Sequence, residues 1–324
     1  MMTHVVFDGV ADGPLGLALD VVSTAARLVK AGLVAAPANP RALRQRIASI
    51  DGEPVRSSGG RTVTVDAALS LRGLVKGDVW VLPGLGAATA TQVSALVGRP
   101  DIQRGAELVA RASTRGALVA ASCSATFVLA HTGVLDGKQA TTTWWLGSTF
   151  AKLHPRVTLR ADRMVVASRG VLTAGSAFAH ADLMLAILAR TVGPSLAHLV
   201  ARYLVLDERP SQSRYMVMDH LRSSDPALRE LETFVNAHLD RQVTVDEMAR
   251  ATGTSARTLA RRLELSLGTT PQHFARRLRM ARAVHLLETT RASVDEVALR
   301  VGYADPAAFR RVFRREIGAS PRAR

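Results

Sequence analysis

The sequence predicts two folds in one chain: an α/β N-terminal domain on a doubly wound, mostly parallel sheet, and an all-α C-terminal domain carrying two helix-turn-helix units. Three observations lead there. Short apolar runs alternate with helical stretches over residues 1–200, the pattern of a parallel sheet covered on both faces. After residue 240 the chain repeats itself once. Between these regions, Glu208 to Asp225 (ERPSQSRYMVMDHLRSSD) is polar, with prolines at 210 and 226, the composition of a linker. The expected boundaries are 1–205, a linker at 206–227, and 228–324, with helix-turn-helix units at about 243–266 and 292–316.

The N-terminal elements run in order: HVVFDG, a helix near 15–31, a strand near 47–50, DVWVLPG at 78–84, ALVAASC at 117–123, VVASRGVLTAG at 165–175 and a helix at 176–191. Ligands of such sheets bind at the carboxyl ends of strands. Cys123 stands at one, after the strand Ala117–Ala121 and before a helix bearing Phe127, Val128 and Leu129. A helix N-terminus there favours the thiolate. This is the nucleophile-elbow geometry, with the Ser124 amide as an oxyanion donor. Small buried cysteines are also common packing residues, so packing, ligand binding or thiol sensing, and catalysis all remain open for Cys123. With Ser124, Thr143 and Trp144 it forms the candidate ligand pocket, and the paired Trp144 and Trp145 either line that pocket or pack in the core. His180 and Asp182 begin a helix, where capping explains them.

In the repeat, Val243–Ala249 returns as Ala292–Ala298 and Gly253 as Gly302, at an offset of 49. One inserted residue makes the offset 50, so that Ser255, Leu259, Arg261, Leu263, Gly268 and Pro271 face Asp305, Phe309, Arg311, Phe313, Gly318 and Pro321. Thr244 with Glu247, and Ser293 with Glu296, have capping-box spacing. Val245, Met248 and Ala249 give a short helix its apolar stripe. Gly253 and Gly302 mark a helix end. Ser255 and Asp305 cap a second helix, and Pro306 takes its favoured first position. Helix, glycine turn and capped helix is the helix-turn-helix pattern.

The second helices bury Leu259, Leu263 and Leu267 in one copy, and Phe309, Val312 and Phe313 in the other. Outward stand Arg257, Thr258, Arg261 and, at the edge, Arg262; then Ala307, Ala308, Arg310, Arg311 and Arg314. A helix of this width enters the major groove, where arginine binds guanine bidentately and alanine or threonine methyls meet thymine. Solvation of exposed faces would explain one such helix but not two capped copies with matching faces. Between them, Pro271 to Thr290 reads as a connecting helix with Phe274, Leu278, Ala281, Leu286 and Leu287 apolar. Its Arg276, Arg277, Arg279 and Arg282 are candidates for phosphate contact or surface solvation. Recognition helices about 34 Å apart would enter successive major grooves.

Composition agrees. The chain has 324 residues, a formal charge of +15 and a pI near 11.3, which favours a polyanionic partner. The single cysteine rules out a disulfide within the chain and fits a reducing cytoplasm. No apolar run of about eighteen residues predicts a membrane span, and no secretory leader is expected. Metal-ligand spacings, a P-loop and a dinucleotide fingerprint are missing, so neither metal nor cofactor is expected.

Segment 228–324 resembles the DNA-binding domain of the AraC/XylS regulators, through RTLARRLELSLGTTPQHFARRLRMARAVHLLETT (257–290) and SVDEVALRVGYADPAAFRRVFRREIGASP (293–321). The resemblance assigns base reading to Arg257 and Arg261, then to Ala307, Ala308 and Arg311. Members continue past the final Gly-x-x-Pro, whereas this sequence ends at Arg324. Residues 1–205 resemble the PfpI-type family of the class I glutamine-amidotransferase-like, flavodoxin-like fold, through LVAASCSATFVLAHTGVLDGKQATTTWW (118–145) and GVLTAGSAFAHADLMLAIL (170–188). Its catalytic members place a histidine just before the residue matching Trp144, and here that residue is Thr143. His131, His154 and His180 exist without an assignable role, and Asp12 lies near the place of a supporting acid. The resemblance implies a cytoplasmic homodimeric regulator that binds double-stranded DNA and responds to a small-molecule effector, not an enzyme. The alternative is a cysteine-dependent amidase-, hydratase- or deglycase-like enzyme fused to a DNA-binding domain.

Overall fold

The computed structural model describes residues 1–207, 209, 211–212, 226–267, 269–317 and 320–321. The chain divides into two compact units, Met1–Ser213 and Arg214–Arg324.

The first unit runs β1 (Met2–Val5), α1 (Asp12–Lys30), β2 (Gln45–Ser49), β3 (Val55–Arg56), β4 (Thr62–Val63), β5 (Ala67–Ala68), β6 (Val79–Leu82), α2 (Ala90–Val97), α3 (Pro100–Thr114) and β7 (Leu118–Ser122). It continues with α4 (Ala125–His131), β8 (Gln139–Ala140), α5 (Gly147–Leu153), β9 (Thr158–Leu159), β10 (Val165–Ser168), β11 (Val171–Ala174), α6 (Ala179–Thr191) and α7 (Pro194–Tyr203). Seven strands form the main sheet in the order β10-β11-β7-β6-β1-β2-β5, and every pair but β10–β11 is parallel. Strands β1, β6 and β11 are buried at every residue, as expected where helices cover both faces. The apolar stripe of α1 (Ala18, Val21, Val22, Ala25, Leu28) packs with α6 and α7 on one face. Helices α2, α3 and α4 pack on the other around Val93, Val109 and Phe127.

The apolar run at 165–175 is two antiparallel strands, because Arg169 and Gly170 both turn through positive φ (43° and 83°). The helix expected from 176 starts at Ala179. The two-residue strands β3, β4 and β5 are too short to leave an alternation in the sequence. Leu206 packs on the α6–α7 core and Gln212 is 1% exposed, so the first unit extends beyond residue 205. The remaining linker residues, 208, 210 and 213–225, lie outside the described residues.

The second unit is helical: α8 (Pro226–Ala237), α9 (Val245–Ala251), α10 (Ala256–Leu267), α11 (Pro271–Thr289), α12 (Val294–Arg300) and α13 (Pro306–Ile317). Leu228, Leu231 and Val235 bury one face of α8. Met280, Ala283, Leu286 and Leu287 of α11 join Val297, Ala298, Phe309 and Phe313 in one core. Ala281, expected on the apolar face, is exposed; Ala283 takes that place.

Candidate nucleic-acid interface and the Cys123 turn

Each copy of the repeat builds the same local device. The Thr244 hydroxyl accepts from the Glu247 amide at 3.2 Å, and the Glu247 carboxylate accepts from the Thr244 amide at 2.7 Å. Ser293 and Glu296 reproduce both distances. The Thr244 amide and Arg241 hold the Glu247 carboxyl down at about 2, the signature of a carboxylate fixed by donors. Helices α9 and α12 then end on Gly253 (φ 61°) and Gly302 (φ 76°). At Gly302 a side chain would also meet the Leu239 carbonyl at 2.9 Å, so this turn needs glycine for two reasons.

The second helices start on their expected caps. Ser255 Oγ accepts from the Thr258 amide at 3.2 Å, and the Asp305 carboxylate accepts from Ala307 and Ala308 at 2.8 and 3.1 Å. Their inner faces are closed by Leu259, Leu263 and Leu267, and by Phe309 and Phe313, all buried; Val312 is half-buried. Outside, Arg257 and Arg261 of α10 are exposed, with Thr258 and Arg262 half-buried. The Thr258 hydroxyl accepts from Ser255 at 2.9 Å and so belongs to the cap. On α13, Ala307, Arg310, Arg311 and Arg314 are exposed and Ala308 is half-buried. Arg310 is held by Asp295 at 2.5 Å, whereas Arg311 lies 3.9 Å from Asp305. Among the described residues, Arg257, Arg261 and Arg314 form no ion pair.

The connector arginines divide. Arg282 is exposed. Arg276 and His273 reach Glu316 at 3.6 and 3.3 Å. Arg279 corrects the surface reading: it is 4% exposed and donates to the Arg241 carbonyl at 2.7 Å. Arginines on every side of α11 hide which one faces inward.

Cys123 follows β7 with φ 54°, a left-handed conformation that costs a non-glycine residue about 1–2 kcal/mol. Its amide donates to the carbonyls of Ala174 and Gly175, and its carbonyl accepts from Thr142 Oγ1 at 2.9 Å. Gly84 backs it so closely that a side chain there would meet Cys123 Cβ at 3.0 Å. Cys123 is 8% exposed. Burial pushes its thiol up, against the downward pull of the Ser124 amide and the Thr143 and Ser124 hydroxyls. The thiolate expected from the helix N-terminus is therefore disfavoured: desolvation outweighs the donors. The Ser124 amide serves the sulfur, and the Ser124 hydroxyl is tied to Leu85. Thr143 Oγ1 meets Ser176 Oγ at 3.3 Å, and Trp144 stacks edge-on against Trp145. Ser124, Thr143 and Trp144 are buried with Cys123.

No expected helper reaches the sulfur. Asp12 accepts from the Gly59 amide at 3.0 Å and faces Arg61 at 3.5 Å. His131 is exposed, and His154 packs on the Phe127 and Phe150 rings. His180 is no cap. It is fully buried, bonds Ser122 Oγ through Nδ1 at 2.8 Å, and is pushed down to about 3 by burial and then by His4. Burial also lowers His4 to about 4. Asp182 pairs with Arg209 at 2.5 Å rather than capping. Sequence reading missed these contacts because their partners lie 27 to 58 residues apart. Among the described residues no group of acidic, histidine and cysteine side chains could hold a metal, and no helix is long and apolar enough to cross a membrane.

A parallel α/β domain with a cysteine elbow, in one chain with a duplicated helix-turn-helix unit, defines a two-part class. The DJ-1/PfpI family matches residues 17–190 and the helix-turn-helix domain family matches residues 248–323. The chain is 30% identical over 282 residues to the HTH-type transcriptional regulator CdhR of Pseudomonas aeruginosa, covering 86% of this chain and 80% of that one. It is 26% identical over 282 residues to the HTH-type transcriptional regulator GbdR of the same species (85% and 72%), and 30% identical over 210 residues to its ArgR (64% of each). The chain belongs to the AraC-type helix-turn-helix family, with a DJ-1/PfpI domain at its N-terminal end. Drosophila melanogaster DJ-1beta shares the fold of the first unit, with a TM-score of 0.50 at 22% identity over 64% of this chain and 98% of that one. A THiJ/PfpI family protein from Pseudomonas syringae aligns with a TM-score of 0.50 at 18% identity, over 64% and 76%.

Proposed function

We propose that this chain is a sequence-specific DNA-binding transcriptional regulator in which α10 and α13 read the major groove. One observation carries the reading: two copies of a capped helix, a positive-φ glycine and a second capped helix, each presenting exposed arginines outward. Arg257, Arg261, Ala307, Ala308 and Arg311 are the base-reading candidates. Arg262, Arg310 and Arg314 stand beside them, and Thr258 contributes its methyl. Relatives of similar build are named transcriptional regulators, which agrees with the formal charge of +15.

The DJ-1/PfpI domain acts as the effector-sensing part of a homodimer. An effector works only through different affinities for DNA-competent and DNA-incompetent states. We read the first unit as non-enzymatic, because Cys123 is a buried thiol beside Thr143 and, among the described residues, none of the expected bases contacts it. Selection from a randomised DNA pool tests the reading. The wild-type chain enriches a defined site, and Arg261→Ala and Arg311→Ala each relax a different base position. Enrichment of no site, or thiol-dependent turnover of amides or reactive carbonyls lost in Cys123→Ala, would overturn it.

A further inference from the structure

The segment following α7 places a glutamine inside the first unit. Gln212 is 1% exposed, and its Nε2 lies 3.2 Å from Thr141 Oγ1, 3.0 Å from the Thr142 carbonyl and 2.8 Å from the Ala161 carbonyl. Its amide and the Ser211 hydroxyl both donate to the Asp162 carbonyl. Gly175 leaves the space: a side chain there would overlap the Gln212 carboxamide. The recess adjoins the Cys123 turn, since the Thr142 hydroxyl donates to the Cys123 carbonyl and the Gly175 carbonyl accepts from the Cys123 amide.

The occupant fits the recess poorly. A carboxamide nitrogen has two hydrogens to offer three acceptors, while Gln212 Oε1 is buried with no hydrogen-bond partner, a loss comparable to a broken hydrogen bond. A primary ammonium carries three hydrogens and no acceptor, so it would satisfy all three oxygens and leave none stranded.

We infer that the recess formed by Thr141, Thr142, Ala161 and Gly175 is a binding site for the primary ammonium group of a small ligand, with Gln212 as its built-in, displaceable occupant. This goes beyond the DNA-binding reading, and its test uses no DNA. The full-length chain carrying Gln212→Gly is melted with propylammonium chloride, with propionamide, and with sodium chloride at equal ionic strength. Propylammonium raises the Tm of the variant saturably, by roughly 3–6 °C at about ten times its dissociation constant. Adding Thr141→Val abolishes the rise, and propionamide stabilises less. A rise that does not saturate, survives Thr141→Val or is matched by sodium chloride overturns the site, and a larger effect of propionamide overturns the ligand class. Where Gln212→Gly does not fold, the wild-type chain is the substrate: propylammonium speeds hydrogen exchange of the Gln212 amide, and unchanged exchange overturns the inference.

Discussion

Arg311→Ala and Arg279→Ala remove the same side chain from the same unit, yet opposite consequences are expected. The Arg311 side chain is 73% exposed and its nearest carboxylate, on Asp305, lies 3.9 Å away and is 60% exposed. Such pairs contribute about 0–1 kcal/mol, so the variant should unfold within about 0.5 kcal/mol of wild type. On its selected site, loss of a bidentate guanine contact costs roughly 1–3 kcal/mol, about 5- to 150-fold in affinity, and relaxes one base position. Arg279 is 4% exposed and ties α11 to the Arg241 carbonyl at 2.7 Å. Its truncation strands a buried acceptor and loses a charge-assisted hydrogen bond, about 2–3 kcal/mol. In a unit of this size that lowers Tm by roughly 10 °C or more, with base preference unchanged. Thermal melts of the full chain and fluorescence anisotropy against selected and scrambled duplexes separate the two. The reasoning is refuted if Arg311→Ala destabilises the fold or weakens every duplex equally. It also fails if Arg279→Ala melts like wild type while altering base preference.

Three further outcomes follow from the same geometry. Thr244→Ala and Ser293→Ala each remove one cap hydroxyl (3.2 Å in both copies) and should each cost about 1 kcal/mol in denaturant unfolding; no change in the midpoint would show the caps idle. His180 and His4 titrate near 3 and 4 when folded, against 6.5 unfolded. The unfolded chain therefore binds more protons below pH 6.5, and stability falls on acidification by up to about 1.4 kcal/mol per pH unit for each. In His180→Asn that slope should shallow, and an unaltered slope would exclude this histidine as a source. At neutral pH, Cys123 should react with iodoacetamide more slowly than an unfolded thiol and recover full reactivity in denaturant, because burial keeps it protonated; rapid labelling of folded protein would contradict this.

What could be read from the sequence were the features whose cause is local. Thr244 and Glu247 stand three residues apart, and helix geometry alone brings them together. Gly253 and Gly302 were legible because a helix end demands positive φ. Leu259 and Leu263 showed the buried face of α10 through helical periodicity. Arg279 was not legible, since α11 carries arginines on several faces and only packing against Arg241 selects one. The Ser122–His180 bond joins residues 58 apart with no spacing rule between them. At Cys123 the turn was readable but the thiol's state was not, because it is decided by burial in a core that the local sequence does not contain. Gln212 looked like linker by composition, and only the space left at Gly175 explains its burial.

Hydroxyl-radical footprinting on the duplex that the wild-type chain selects tests the regulator reading most directly. Two protected patches on one face of the DNA, about 10 base pairs apart, are the predicted result, with Arg261→Ala weakening one patch and Arg311→Ala the other. A single patch indifferent to both substitutions, or equal protection of selected and scrambled duplexes, would contradict it.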